Sequence, residues 1–243
     1  MPSQIEVVFF HYIRDKFSFK TESMKTVLFL LSFASVSACS SNSQDSQIEN
    51  VMQQSDIINL VQNNKIDAVK SALEKGVNVN TQSKNGQSLL LIATLNQHTE
   101  MAKLLVSHKA DVNLQAENLD SAFLYAGASG QTELMKLFLE NGAKFDVFNR
   151  YNGTALIPAC ERGHVETVKV LATTKGFPIN HVNRLGWTAL MEAVVLGNGS
   201  KKYQEIIQIL KDNKADLTIP DKDGVTALQH AKMMGFKEIV AIL

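Results

Sequence analysis

Few side chains in this sequence have types that could do covalent chemistry. Cys160, Glu192 and His230 are a thiol, a carboxylate and an imidazole, the groups from which nucleophilic sites are built. A reactive thiol needs a His beside it and a lowered pKa. Nothing near Cys160 in the sequence supplies either. It reads better as a small buried residue, and an enzyme built on the three is the less favoured class. The six histidines are scattered without metal-ligand spacing, and two cysteines make no disulfide framework. Gly197-Asn198-Gly199 lacks the rest of a nucleotide fingerprint. No catalytic, cofactor-binding or metal-binding residue is assigned, and no cofactor is expected. What remains is binding chemistry. Arg150, Tyr151, Arg162, Arg184 and Trp187, with Glu161 and Glu192, fall within a short stretch, and Tyr, Trp and Arg dominate binding hot spots. The bland alternative is that Trp187 packs a turn and the charges are solvated.

Composition narrows the partner. The 243 residues carry 24 basic and 24 acidic side chains, a formal net charge of zero. A general nucleic-acid or membrane-surface binder would show a basic excess, so neither is expected. The apolar share of 45% and charged share of 20% are those of a folded soluble domain.

The elements that must position these residues come from one unit repeated. With Leu60, Ala93, Ala126, Ala159, Ala193 and Ala231 as anchors, the spacings are 33, 33, 33, 34 and 38 residues. Five positions earlier stands a hydroxyl: Ser55, Ser88, Ser121, Thr154, Thr188, Thr226. Three positions earlier the residue is always apolar, from Ile57 to Leu228. Seven positions later, allowing for an insertion in the fifth unit, comes an acid: Asp67, Glu100, Glu133, Glu166, Glu205, Glu238. The hydroxyl is placed to cap a first short helix, and the acid sits where the dipole of a second helix favours negative charge. Turn dipeptides such as Asn85-Gly86, Asn152-Gly153 and Asp223-Gly224 separate the units. Two short helices cannot bury their own apolar face; stacked units can.

The strings NGTALIPACERGHVETVKVL (152–171), GWTALMEAV (186–194) and DGVTALQHA (223–231) resemble ankyrin repeats, over about residues 54–243. The resemblance implies an all-α ankyrin-repeat solenoid of about six units with hairpin-like loops. It also implies a non-catalytic protein–protein interaction module whose partners meet the turn tips and first helices on a concave face. His98 and His164, at the start of second helices, are then expected to bond loop backbone rather than a metal. The first unit reads as an N-terminal cap. The extra residues around Gly199-Ser200-Lys201-Lys202 are expected to lengthen a surface connection. The position before the anchor, usually aliphatic in the family, runs Ile92, Tyr125, Pro158, Glu192, His230 here. Such departures from a local rule tend to mark functional places, although Pro158 is tolerable in a first helical turn. The partner-binding expectation is therefore Arg150, Tyr151, Glu161, Arg162, Arg184, Trp187 and Glu192.

The start of the chain is a different kind of segment. From Met24 it reads MKTVLFLLSFASVSAC, a Lys, an apolar run of 11 residues (26–36) and small residues before Cys39. That is the layout of a secretory signal, and the run is well short of the roughly 20 residues a membrane-spanning helix needs. Val36-Ser37-Ala38-Cys39 resembles the lipobox of bacterial lipoproteins, which implies that Cys39 becomes the lipid-bearing mature N-terminus. The other reading is an ordinary signal peptide that happens to precede a Cys. The expected organisation is a signal peptide (1–38), a tether (39–53) and the repeat domain (54–243). Residues 1–23 read as a mis-called start before Met24, or as a long n-region carrying Arg14, Lys16 and Lys20. The expected location is the bacterial cell envelope: a periplasm-facing outer-membrane lipoprotein, or a soluble periplasmic protein without the lipid. The strings RYNGTALIPACERGH (150–164) and NRLGWTALMEAV (183–194) resemble a bacterial branch of ankyrin proteins with some members linked to catalases, which gives an alternative function as accessory factor for a periplasmic redox enzyme such as a catalase, in assembly or cofactor delivery.

Overall fold

The structure, a computed structural model, describes residues 56–243. The expected signal peptide, Cys39, the tether and Ser55 lie outside the described residues. Each unit is a pair of helices joined by a short turn. The pairs are α1 (56–62) with α2 (Ile66–Glu74), α3 (Leu89–Leu95) with α4 (Thr99–Ser107), and α5 (Ala122–Ser129) with α6 (Thr132–Glu140). They continue as α7 (Leu156–Arg162) with α8 (Val165–Thr173), α9 (Ala189–Val195) with α10 (Lys201–Asp212), and α11 (Ala227–Met233) with α12 (Lys237–Ile242). From α3 onward first helices pack on first helices, α3 on α5 on α7 on α9 on α11. Second helices form a parallel row, from α2 through α12.

Burial explains the two rows. All seven residues of α9 and six of the seven in α3 are buried. A helix apolar all round belongs in the middle of a stack. In α6 only Leu134, Met135 and Phe138 are buried, one stripe, so the second helices cover the core and face water outside. Leu156, fully buried in α7, is a typical core position, where truncation to Ala costs roughly 2–5 kcal/mol.

The hydroxyl column caps the first helices in four units. Ser88, Ser121, Thr188 and Thr226 accept from the backbone N–H three residues on, at 3.1, 3.2, 3.2 and 3.3 Å. Thr226 completes a capping box with Gln229. Thr154 departs from the expectation: its cap position passes to Ala155, and its Oγ1 is buried without a hydrogen-bond partner among the described residues. The cause is Pro158. It has no N–H to bond the Thr154 carbonyl, so α7 begins one residue late, with the proline inside its first turn.

The insertion in the fifth unit is shared between loop and helix. The expected longer connection is present at 196–200, between α9 and α10, and α10 itself grows to 12 residues, where the other complete second helices have 9. Tyr203, Ile206, Ile207 and Leu210, spaced as one helical face, are all buried. That stripe draws the rest of the insertion into the helix.

Between units, tips form at 83–87, 116–120, 149–153, 183–187 and 221–225. In each, the first residue's N–H bonds the carbonyl of the fifth, at 2.8–3.0 Å. Below them runs a ladder of side-chain bonds. Asn80 Oδ1 accepts from Asp111 N–H, Asn113 from Lys144 and Asn180 from Asp216, each at 2.8 Å. The rung from Asp146 has no counterpart of this kind. Allowing for the fourth unit's extra residue, its donor would be Pro178, which carries no N–H.

Candidate partner-binding face

The tips and the ends of the first helices share one face, and in the last three tips the first residue organises it. Asn149 Oδ1 accepts from the N–H groups of Tyr151 and Gly153, both at 2.9 Å. Asn183 Oδ1 does the same for Leu185 and Trp187, and Asp221 Oδ1 for Asp223 and Val225. The far side of that first residue explains the unusual column on the first helices. Asn183 Nδ2 donates to Glu192 Oε1 at 2.9 Å, and His230 Nε2 lies 2.7 Å from Asp221 Oδ2. Donor and acceptor trade places between the two units. Where the tip offers an amide the helix offers a carboxylate, and where the tip offers a carboxylate the helix offers an imidazole.

This overturns the partner-binding role of Glu192. It is 2% exposed, beneath its own tip, and no partner on the surface reaches it. The candidate enzyme trio fares no better. His230 is bonded to Asp221 and Glu192 to Asn183, while Cys160 is fully buried in the apolar core. Burial, and then the nearby charge of Glu192, push the Cys160 thiol well above its usual pKa, away from the thiolate a nucleophile requires.

The other predicted residues reach the face. Arg150 is exposed, its guanidinium 5.0 Å from the centre of the Tyr151 ring. The Tyr151 carbonyl accepts from Arg184 N–H at 2.8 Å, so the fourth and fifth tips are tied together. Arg162 is exposed at the end of α7, with Nη1 2.6 Å from the Ala128 carbonyl of the preceding unit. Glu161 is half-buried, and its carbonyl accepts from the Tyr203 hydroxyl at 2.8 Å. Trp187 is half-buried and packs against the core, so its ring is as much a prop for the tip as a contact.

Three contributors escaped the sequence reading. Asp120, on the third tip, is half-buried within the fields of Arg150 and Arg162; burial pushes its carboxyl up against the pull of both. Lys222 Nζ donates to the Arg184 carbonyl at 2.6 Å. The side chain of Lys202, on the added turn of α10, crosses Gly163 where a Cβ would collide with it, and its ammonium lies 5.0 Å from the Tyr203 ring centre. Comparing the second residue of every tip would have found Lys222. Lys202 was hidden because the insertion read as a loop.

Histidines follow the structural reading with a shifted target. His98 Nδ1 lies 3.3 Å from the Val61 carbonyl, at the end of the preceding first helix rather than in a loop. The His164 ring bonds the Ala128 carbonyl; burial holds its pKa down, and the positive charges of Arg162 and Lys202 add to that against the bond. Among the described residues no group of three or more His, Cys, Asp or Glu is placed to hold a metal ion, and no helix is long and apolar enough to cross a membrane.

The stacked pairs, capped first helices and bonded tips define a repeat solenoid, and the family profile described as "Ankyrin repeats (3 copies)" matches residues 57–149 and 123–221. The chain belongs to the ankyrin-repeat family. It is similar to the ankyrin repeat protein YahD of Escherichia coli (strain K12), 34% identical over 188 residues, covering 77% of this chain and 94% of that one. Among solved structures it resembles an ankyrin repeat domain from Acinetobacter baumannii AYE, with TM-score 0.75 and 42% identity over 76% of this chain and 94% of that chain. It also resembles the ankyrin repeat protein EF0377, with TM-score 0.74 and 38% identity over the same shares. Ankyrin repeats are a protein–protein interaction module, generally without catalysis.

Proposed function

We propose that this chain is a lipid-anchored binding module of the bacterial cell envelope that holds another protein through the tips and first-helix ends of its fourth and fifth units. The observation carrying this reading is the convergence of exposed Arg150, Arg162 and Arg184 with half-buried Tyr151 on one face, tied by the bond between the fourth and fifth tips. Arginine gives directed bonds and tyrosine gives rigid apolar area, the pairing that dominates interface energetics. The lipid anchor rests on the sequence around Cys39, and it faces the repeats toward the periplasm.

Two measurements test the proposal. Mass spectrometry of the mature N-terminal peptide should find acylated Cys39; an unmodified Cys39, or a chain beginning at Ser40, removes the anchor. Capture from detergent-solubilised envelope should lose its partner with Arg150→Glu, Arg162→Glu and Tyr151→Ala while circular dichroism stays unchanged. If those variants capture normally and Lys136→Glu or Lys169→Glu on the second helices do not, the interface lies on the opposite row.

A further inference from the structure

The second residue of each tip is Lys84, Glu117, Arg150, Arg184 and Lys222, so the last three units present an unbroken row of cations. All three are exposed. None of them enters an ion pair among the described residues, where the close pairs are Lys103 with Glu100 and Glu133, and His230 with Asp221. Exposed Arg162 and Lys202 stand behind the row. The acids on the same face of these three units are Glu161, Asp223 and Asp221, the last bonded to His230, while Glu117 and Asp120 lie beyond the row on the neighbouring tip. Within the three units, five cations against three acids leave a positive strip on a molecule whose formal charge is zero. The strip is also held in register. Arg184 N–H bonds the Tyr151 carbonyl and Lys222 Nζ bonds the Arg184 carbonyl, so each tip is fastened to the next.

Register gives the strip a spacing. Stacked helices stand about 8–10 Å apart, and so must tips fastened unit to unit. An extended peptide of the polyproline-II kind advances about 3.1 Å per residue with three residues per turn, so side chains three apart share a face and lie about one unit apart. We propose that the row Arg150, Arg184, Lys222 reads an extended acidic segment of the partner, with Asp or Glu about every third residue. The intervening side chains lie against Tyr151 and Leu185, both half-buried third residues of their tips. This rests on the binding reading above and names the chemistry that face selects.

The test is fluorescence anisotropy of the full chain in mild detergent with fluorescein-labelled probes. The first is a peptide of about 15 residues repeating Asp-Ser-Ala, and the second has the same composition with its aspartates in one block. The third is a single-stranded oligo-dT of similar length. The spaced peptide should bind more tightly than the blocked one, and its affinity should fall as salt screens the strip. The triple variant Arg150→Glu, Arg184→Glu, Lys222→Glu should weaken it by roughly tenfold or more; Lys136→Glu with Lys169→Glu should leave it unchanged. Equal binding of the two peptides, preference for the oligonucleotide, or indifference to the triple reversal each overturn the proposal. If peptide binding is absent while envelope capture still depends on Tyr151 and Arg162, acid recognition fails and the binding face stands. If capture ignores every tip variant, the face itself is wrong.

Discussion

Thr154 and Thr188 occupy the same column of the repeat with opposite consequences. Thr188 Oγ1 accepts the Met191 N–H at the head of α9, whereas Thr154 Oγ1 is buried without a partner among the described residues. Replacing each with Val keeps the shape and removes the hydroxyl. Thr188→Val should cost about 1 kcal/mol, the usual worth of an N-cap. Thr154→Val should be neutral or stabilising, because an unsatisfied buried hydroxyl disappears. Urea unfolding of the two variants decides; a comparable loss at both would show that Thr154 is bonded after all. Of the five register hydroxyls among the described residues, only Pro158, four residues on, distinguished the one that does not cap. Asp221 adds a dependence on pH. Burial pushes its carboxyl up, but His230 and the Val225 and Asp223 N–H groups together hold it below the ordinary carboxylate range. Its ionised form therefore stabilises the fold above the unfolded-state pKa, about 3.9, and that contribution is lost as pH falls through the lower folded value. The gap in unfolding free energy between wild type and Asp221→Asn should be steady near neutrality and close in acid. A gap that persists in acid would assign the effect to packing.

A tip and the first helix that follows it behave as one element, joined by a pair nine residues apart. The fifth unit joins them with Asn183 and Glu192, the sixth with Asp221 and His230. If the pairs are equivalent devices, they should be transferable. Asn183→Asp alone sets two carboxylates against each other in a buried place and should cost roughly 3 kcal/mol. Adding Glu192→His rebuilds the sixth unit's pair inside the fifth and should recover most of that loss. The double-mutant cycle reads the recovery as a coupling energy, and none would mean that the tip conformations, not the pairs, differ between units. Element identity was largely legible in the sequence, since period, hydroxyl, anchor and acid are all local signals. The pairing was not. Glu192 and His230 broke the aliphatic rule of their column, and a sequence cannot distinguish a rule broken for a partner outside from one broken for a partner nine residues back. The same limit hid Asp120, whose relation to Arg150 and Arg162 exists only once neighbouring units are stacked.

At the scale of the whole molecule, stability is a sum over neighbours, so the seams between units matter more than any single helix. The core is continuous from Ile57 to Ile239, and the row of tips is fastened across it. Hydrogen exchange should therefore report opening at the seams rather than uniform fraying. The third–fourth seam is the one to watch. It keeps the bond of Gln115 to the Phe148 carbonyl, the contact of Arg162 with Ala128 and the Thr132–Thr167 hydroxyl pair at 2.8 Å. It lacks the backbone rung that Asn80, Asn113 and Asn180 supply at three other seams, and the unit behind it lacks its helix cap. Amides on both sides of that seam, in α6 and α8, should exchange sooner than those in α4 and α10; protection that declines only toward the two ends would contradict this. Two prolines thus give the stack a tear line. Under tension between the proposed membrane tether at one end and a load held by the proposed binding tips at the other, the chain would part there first. It would come away as two blocks, the anchored half still folded and the gripping half still closed on what it holds.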